Sequence, residues 1–197
     1  MAKLTNMTGD GFVNEVLDNR TDFSQIIFKY GFDVKTHPRY QDFKDKMNWI
    51  GNGDHYLILD GSHLNGVNLQ GIDLRGIRAV GCAFERAHLE DADLSSGIFA
   101  NSGFTNAYLN RARMCSGNFY GASFDGANLT EADMSSATLE GANFKDSILV
   151  RVKGIQSVRN IHLAVFSSTS TDEETRKYLE EEFNRYDKHR LQSTKAT

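Results

Sequence analysis

The chain has 197 residues, a net charge of −4 and a pI near 5.9, with 40% hydrophobic and 24% charged residues. That is enough chain for one or two domains with a substantial core, and the mild acidity argues against direct nucleic-acid binding. No stretch is long and apolar enough to cross a membrane, and Met1 to Asn6 carries no apolar signal core, so a soluble cytoplasmic protein with no membrane partner is expected.

Helical spacing and Gly and Pro punctuation dominate the first fifty residues. Phe12, Val13, Val16 and Leu17 form a short apolar face behind Asp10, a candidate N-cap. Between Asp22 and Tyr30, Phe23, Ile26, Ile27 and Tyr30 fall at i, i+3, i+4 and i+7, followed by Gly31 where a C′ residue belongs, which predicts a second helix. A rival reading takes Phe23 and Phe28, five apart, as degenerate members of the repeat described next. Pro38 opens a third segment carrying Tyr40, Phe43, Met47, Trp49 and Ile50, ended by Gly51 with Asn52-Gly53 as a turn.

From Leu57 to Arg151 every fifth residue is apolar: Leu59, Leu64, Leu69, Leu74, Ala79, Phe84, Leu89, Leu94, Phe99, Phe104, Leu109, Met114, Phe119, Phe124, Leu129, Met134, Leu139, Phe144 and Leu149. At this composition, chance produces such a run with a probability of about 10⁻⁸, so the repeat governs the fold. A period of five is neither helix nor flat strand. A second small or apolar residue sits two before most centres, as at Ala87, Ala92, Ala107, Ala122, Ala127 and Ala132, with Ser62, Cys82, Gly97 and Ser102 in the same role. Residues twenty apart resemble one another more than neighbouring units do: Leu64, Phe84, Phe104, Phe124 and Phe144 form one series, and Leu69, Leu89, Leu109, Leu129 and Leu149 another. Four units per coil then make a rod of almost five coils.

The units Ala127-Asn128-Leu129-Thr130-Glu131 and Ala132-Asp133-Met134-Ser135-Ser136 resemble the consensus of the pentapeptide-repeat family. The resemblance implies an all-β solenoid, a right-handed quadrilateral parallel β-helix, here with a helical N-terminal cap and a C-terminal α-helix. The expected divisions are a mostly helical cap at 1–54, the β-helix at 55–152, a closing segment at 153–170 and a helix with its tail at 171–197. Bulky Leu57, Val67, Ile72 and Ile77 in the first coil favour a lid over its open end, with partner binding by the cap as the alternative.

Positions flanking each centre face outward and are mostly polar. The exceptions lie on the Leu59 side, where Ile58, Val80, Ala100, Ile98 and Tyr120 form a candidate partner-binding patch, unless the C-terminal helix covers it. Tyr108, Ile148 and Val150 form a smaller set on another side. The glycines after the centres, such as Gly61, Gly66 and Gly71, read as corner residues and not as phosphate loops.

Past Leu149 the five-residue register is expected to fail, since the next centre would be Gly154. Ile155, Val158, Ile161, Leu163, Ala164, Val165 and Phe166 are apolar enough to close the far end, and Ser167 to Ser170 read as a polar hinge. Thr171 and Glu174 then make a capping box, with Lys188, His189 and Arg190 in the last turn and a frayed tail from Gln192. On this helix Tyr178, Leu179, Phe183 and Tyr186 form a stripe for dimerisation or for capping the rod.

The resemblance to quinolone-resistance members of the family implies homodimerisation through the C-terminal segment and DNA mimicry towards gyrase. Against mimicry, the rod carries eleven acids (Asp60, Asp73, Glu85, Glu90, Asp91, Asp93, Asp125, Glu131, Asp133, Glu140, Asp146) and seven bases (Arg75, Arg78, Arg86, Arg111, Arg113, Lys145, Arg151). His37, His55, His63, His88, His162 and His189 have no metal spacing, no nucleophile motif occurs, and Cys82 and Cys115 fall on different sides, which suits a reducing compartment. The expectation is a non-catalytic protein-binding scaffold with no cofactor, no metal and a protein partner.

Overall fold

The computed structural model describes the backbone of residues 5–52 and 57–193 and the side chains of 5–51 and 57–186. The 54/55 division, His55, the Asn52-Gly53 turn, the Lys188, His189 and Arg190 side chains and the tail beyond residue 193 lie outside these.

Parallel bridges join residues twenty apart in four series: Ile58, Arg78, Ile98, Asn118 and Thr138; His63, Ala83, Gly103, Ser123 and Asn143; Asn68, His88, Tyr108, Asn128 and Ile148; and Asp73, Asp93, Arg113, Asp133 and Lys153. Each of these bridge residues except Lys153 precedes an apolar centre, so the centres face inward, and all nineteen are at most 2% exposed. Like side chains meet like. The Phe84, Phe104, Phe124 and Phe144 rings stack with centroids 5.1, 5.1 and 4.9 Å apart and planes within 9°. The corner after each centre has a left-handed backbone, at Gly66 (φ 67°) and equally at Arg86 (φ 56°). Glycine relieves that turn without being required by it.

At the N-terminal end the structure departs from helical expectation. Strand β1 (Thr5–Met7) pairs in parallel with β2 (Ile26–Phe28), and Asp22, Ile27 and Asp33 bridge to Ile58, His63 and Asn68. The segment from Asp22 to Tyr30 is thus no helix; the rival five-residue reading is the one that holds. Phe23, Phe28 and Val34 are buried as the centres of an added layer. The reason is non-local: the Phe23 N–H donates to the Ile58 carbonyl at 2.7 Å, and the Ile58 N–H to the Thr21 carbonyl at 2.7 Å. A helix there would leave the first coil's edge unsatisfied.

Helices α1 (Gly9–Leu17) and α2 (Tyr40–Asn52) complete this end. Thr8, and not Asp10, caps α1, its hydroxyl accepting from the Gly11 N–H at 3.0 Å, because the chain leaves β1 extended and turns immediately. Helix α2 continues through Gly51, where a Cβ would come 2.6 Å from Asp73 Oδ1, so a larger residue would strike the rod. Phe12 of α1 meets Phe23, Phe28 and Phe43 edge-on at 5.0, 5.0 and 5.7 Å. The cap and the rod therefore share one core.

At the far end the stacking also outlasts the sequence repeat. Lys153, Arg159 and Val165 bridge to Asp133, Thr138 and Asn143, and β3 (Ile148–Leu149) pairs with β4 (Ser170–Thr171). Inserted residues are taken up in 3₁₀ turns at Ile155–Ser157 and Ile161–Leu163. Ile155, Val158, Ile161 and Ala164 are buried and Phe166 stacks on Phe144 at 5.0 Å, whereas Leu163 and Val165 point outward and close nothing. Ser170 is no hinge, since its N–H bonds the Ser147 carbonyl at 2.8 Å. Helix α3 (Glu173–Ser193) is capped by Asp172, whose Oδ1 accepts from the Thr175 N–H at 2.9 Å. Thr171 cannot serve as the cap because it is held in β4.

Candidate interaction surfaces

The alternation along each short strand decides which side chains a partner meets. On the Leu59 side, Val80, Ala100 and Tyr120 occupy the position after the centre on three consecutive coils, and Ile98 lies before Phe99 on the middle one. Ile98 is 38% and Tyr120 50% exposed, while Ile58, Val80 and Ala100 are half-buried. Ile58 is separated from Ile98 by Arg78, which pairs with Asp60 at 2.6 Å. Four of the five expected residues thus form one patch, with Ile58 at its edge.

Among the described residues, helix α3 does not cover this patch. Phe183 packs edge-on to Phe166 at 6.0 Å, the Tyr186 ring stacks on His162 at 4.1 Å, Leu179 is buried and Tyr178 half-buried. All of these contacts lie at the end of the rod. The smaller set is dispersed: Tyr108 stacks on His88 at 4.6 Å, and Asn128 separates it from Ile148.

Charges on the rod wall are matched along the stack. Arg111 holds Asp91 with two bonds of 2.7 and 2.8 Å, Arg151 reaches Glu131 at 2.6 Å, and Arg113 lies 3.6 Å from Asp93. Arg75 chelates the buried carboxylate of Asp73. The Arg111 guanidinium holds the Asp91 carboxyl below its ordinary value. Six of the eleven rod acids, Asp60, Asp73, Asp91, Asp93, Glu131 and Asp146, have an Arg or Lys within ion-pair range.

Inside, Ser62, Cys82 and Ser102 donate to the carbonyls of Phe23, Leu59 and Ala79 at 2.6, 2.8 and 2.6 Å. Burial pushes the Cys82 thiol up to about 12, so it is a structural donor and not a nucleophile. Among the described residues no group of three or more His, Cys, Asp or Glu is placed to hold a metal ion, and no helix is long and apolar enough to cross a membrane. Four of the described cavities lie at the two ends, and the fifth runs along the rod wall over the first coils. One of them brings Tyr30 and Arg86 together with Tyr108. The helical reading of residues 22–30 hid that juxtaposition, and the Phe23 and Phe28 spacing was the signal for it.

The family model described as Pentapeptide repeats (8 copies) matches the chain over residues 58–101, 87–129 and 107–146. Residues 58–146 are a pentapeptide-repeat array. That array stacks as a parallel β-solenoid, bridged between residues twenty apart, with helices at both ends. Similar solved structures include a pentapeptide repeat protein from the Arabidopsis thaliana thylakoid lumen, 21% identical over 62% of this chain and 67% of that one, with a TM-score of 0.30. QnrB1, a plasmid-mediated fluoroquinolone resistance protein, is 18% identical over 64% and 90%, TM-score 0.20. Rfr23, a pentapeptide repeat protein from the cyanobacterium Cyanothece 51142, is 20% identical over 85% and 88%, TM-score 0.18. No curated protein sequence matches this pentapeptide-repeat chain.

Proposed function

We propose that this protein is a non-catalytic cytoplasmic scaffold whose four-sided rod presents its Leu59 side to a protein partner. The observation that carries the reading is the exposure of Ile98 and Tyr120 over neighbouring coils, beside Val80 and Ala100. Apolar side chains gathered on a flat wall lose contact with water when a partner covers them. Affinity purification of the wild type beside the Ile98→Glu/Tyr120→Glu variant tests it. A protein retained by the wild type and lost by the folded variant is the expected result, and equal retention by both rejects the patch.

The pairing of six rod acids with bases weighs against a duplex-like negative stripe, so no inhibition of gyrase supercoiling and no protection from quinolone is expected at micromolar protein. The engagement of Leu179, Phe183 and Tyr186 with the last coil supports α3 as the cover of its own rod over a role as a dimer contact. Sizing the Phe183→Asp/Tyr186→Asp variant separates these roles: unchanged size with lower stability fits the cover, and conversion of a wild-type dimer to monomer fits the dimer contact.

A further inference from the structure

Among the described residues, six of the seven rod bases have a carboxylate within 4.0 Å and Arg86 has none. Its place in the stack explains this. The arginines Arg111 and Arg151 stand twenty residues from an acid, at Asp91 and Glu131, whereas the corresponding neighbours of Arg86 are Gly66 and Asn106. At Gly66 a Cβ would come within 2.8 Å of the Tyr30 ring, so the glycine makes room for that ring to lie on the corner. Tyr30 (61% exposed) on the added N-terminal layer and Tyr108 (43% exposed) on the third coil then bound a groove of about 420 Å³ that contains Arg86, Asn68 and His88.

The acids beside this groove are already engaged. Asp33 accepts from the Asn68 amide at 3.0 Å and from the Lys35 N–H at 2.8 Å, and Glu90 contacts His88 Nδ1 at 3.2 Å. The stacking of His88 under Tyr108 holds that ring in position. What remains for a ligand is two aromatic faces and one guanidinium whose donors have no acceptor among the described residues. Aromatic faces take a planar group, and a guanidinium binds carboxylate or phosphate by paired charge-assisted bonds.

We infer that the groove between Tyr30 and Tyr108 is a binding site for a planar ring carrying an anionic carboxylate or phosphate group, with Arg86 as the anion-binding residue. The site lies on a different wall from the Ile98 and Tyr120 patch and does not depend on it. A quaternary ammonium ligand is the competing occupant for an aromatic groove, and an unpaired guanidinium inside it opposes that choice.

Titration of the isotope-labelled full chain with phenyl phosphate, phenylacetate, inorganic phosphate and choline, followed by NMR, tests the site. Saturable shifts at the Arg86 Nε–H and at the Gly66 and Asn68 amides are expected with one or both ring-bearing anions, and which of them binds tells phosphate from carboxylate. Inorganic phosphate should bind at least about tenfold more weakly than the better ring-bearing anion, since it lacks the stacking group. Arg86→Gln should weaken binding about tenfold and Arg86→Lys less, while Tyr108→Ala weakens the ring-bearing probes and leaves inorganic phosphate unchanged. The proposal is overturned by an absence of saturable shifts at millimolar probe, by undiminished binding in folded Arg86→Gln, or by choline binding in preference to the anions. Should Arg86→Gln fail to fold, the Tyr108→Ala comparison decides on the same terms.

Discussion

Cys82 shows how closely each interior position is specified. Its sequence context calls only for a small side chain, and Ser62 and Ser102 hold the equivalent place one coil before and after. All three donate to buried backbone carbonyls, and the Leu59 carbonyl that receives the Cys82 thiol also accepts from the Ser62 N–H at 2.9 Å. Because burial keeps the Cys82 thiol protonated up to about 12, iodoacetamide should modify half-buried Cys115 in the native protein and reach Cys82 only after unfolding. Modification of Cys82 in the folded chain, read by peptide mass, would contradict that. Asp172 is the second such residue, joining the Thr175 N–H to the Arg151 N–H. The Thr175 N–H holds its carboxyl below the ordinary value, as the Ser24 N–H does for Asp22. A carboxylate with a lowered folded-state pKa stabilises the fold above its unfolded pKa, about 3.9, and loses that contribution as pH falls below it. Asp172→Ala should therefore cost about 1 kcal/mol at neutral pH in chemical denaturation, and the difference from wild type should shrink below about pH 4.

At the scale of elements, the phenylalanine ladder carries the interior. Phe104 is fully buried between Phe84 and Phe124, so Phe104→Ala should destabilise by about 3 to 5 kcal/mol, and Phe104→Leu by less, in the same denaturation measurement. This ladder was legible because stacked positions repeat the same side chain every twenty residues. Residues 22–34 were harder to read because Phe23, Ile26, Ile27 and Tyr30 satisfy a helical spacing while Phe23 and Phe28 satisfy the repeat. The arbiter is the unpaired edge around Ile58 and His63, which no local pattern contains. Insertions hid the last layer in another way: Ile155 and Ile161 fill the interior after 3₁₀ turns that break a strict count of five. The apolar patch was readable from alternation alone. The Tyr30, Arg86 and Tyr108 groove was not, since it joins a misread segment to the rod.

Over the whole molecule, the added layers explain how a short solenoid avoids open ends. Bridged backbone runs from Asp22 to Thr171, well beyond the strict repeat, with α1 and α2 over one end and α3 against the other. Leu179 and Phe183 of α3 and Phe12, Phe43 and Met47 of α1 and α2 pack into the ends, which leaves Ile98 and Tyr120 exposed on the wall. Phe183→Asp/Tyr186→Asp should accordingly expose the last coil and lower the melting temperature while the central coils keep their strand signal. The most direct measurement of the continuous stack is native hydrogen exchange read by mass spectrometry over residues 22–34 and 153–171. The account predicts protection there approaching that of the coils around Leu64 and Phe104, because Phe23, Phe28, Arg159 and Val165 donate inter-coil backbone bonds of 2.7 to 3.0 Å. Exchange of both segments within seconds, with the central coils still protected, would contradict it.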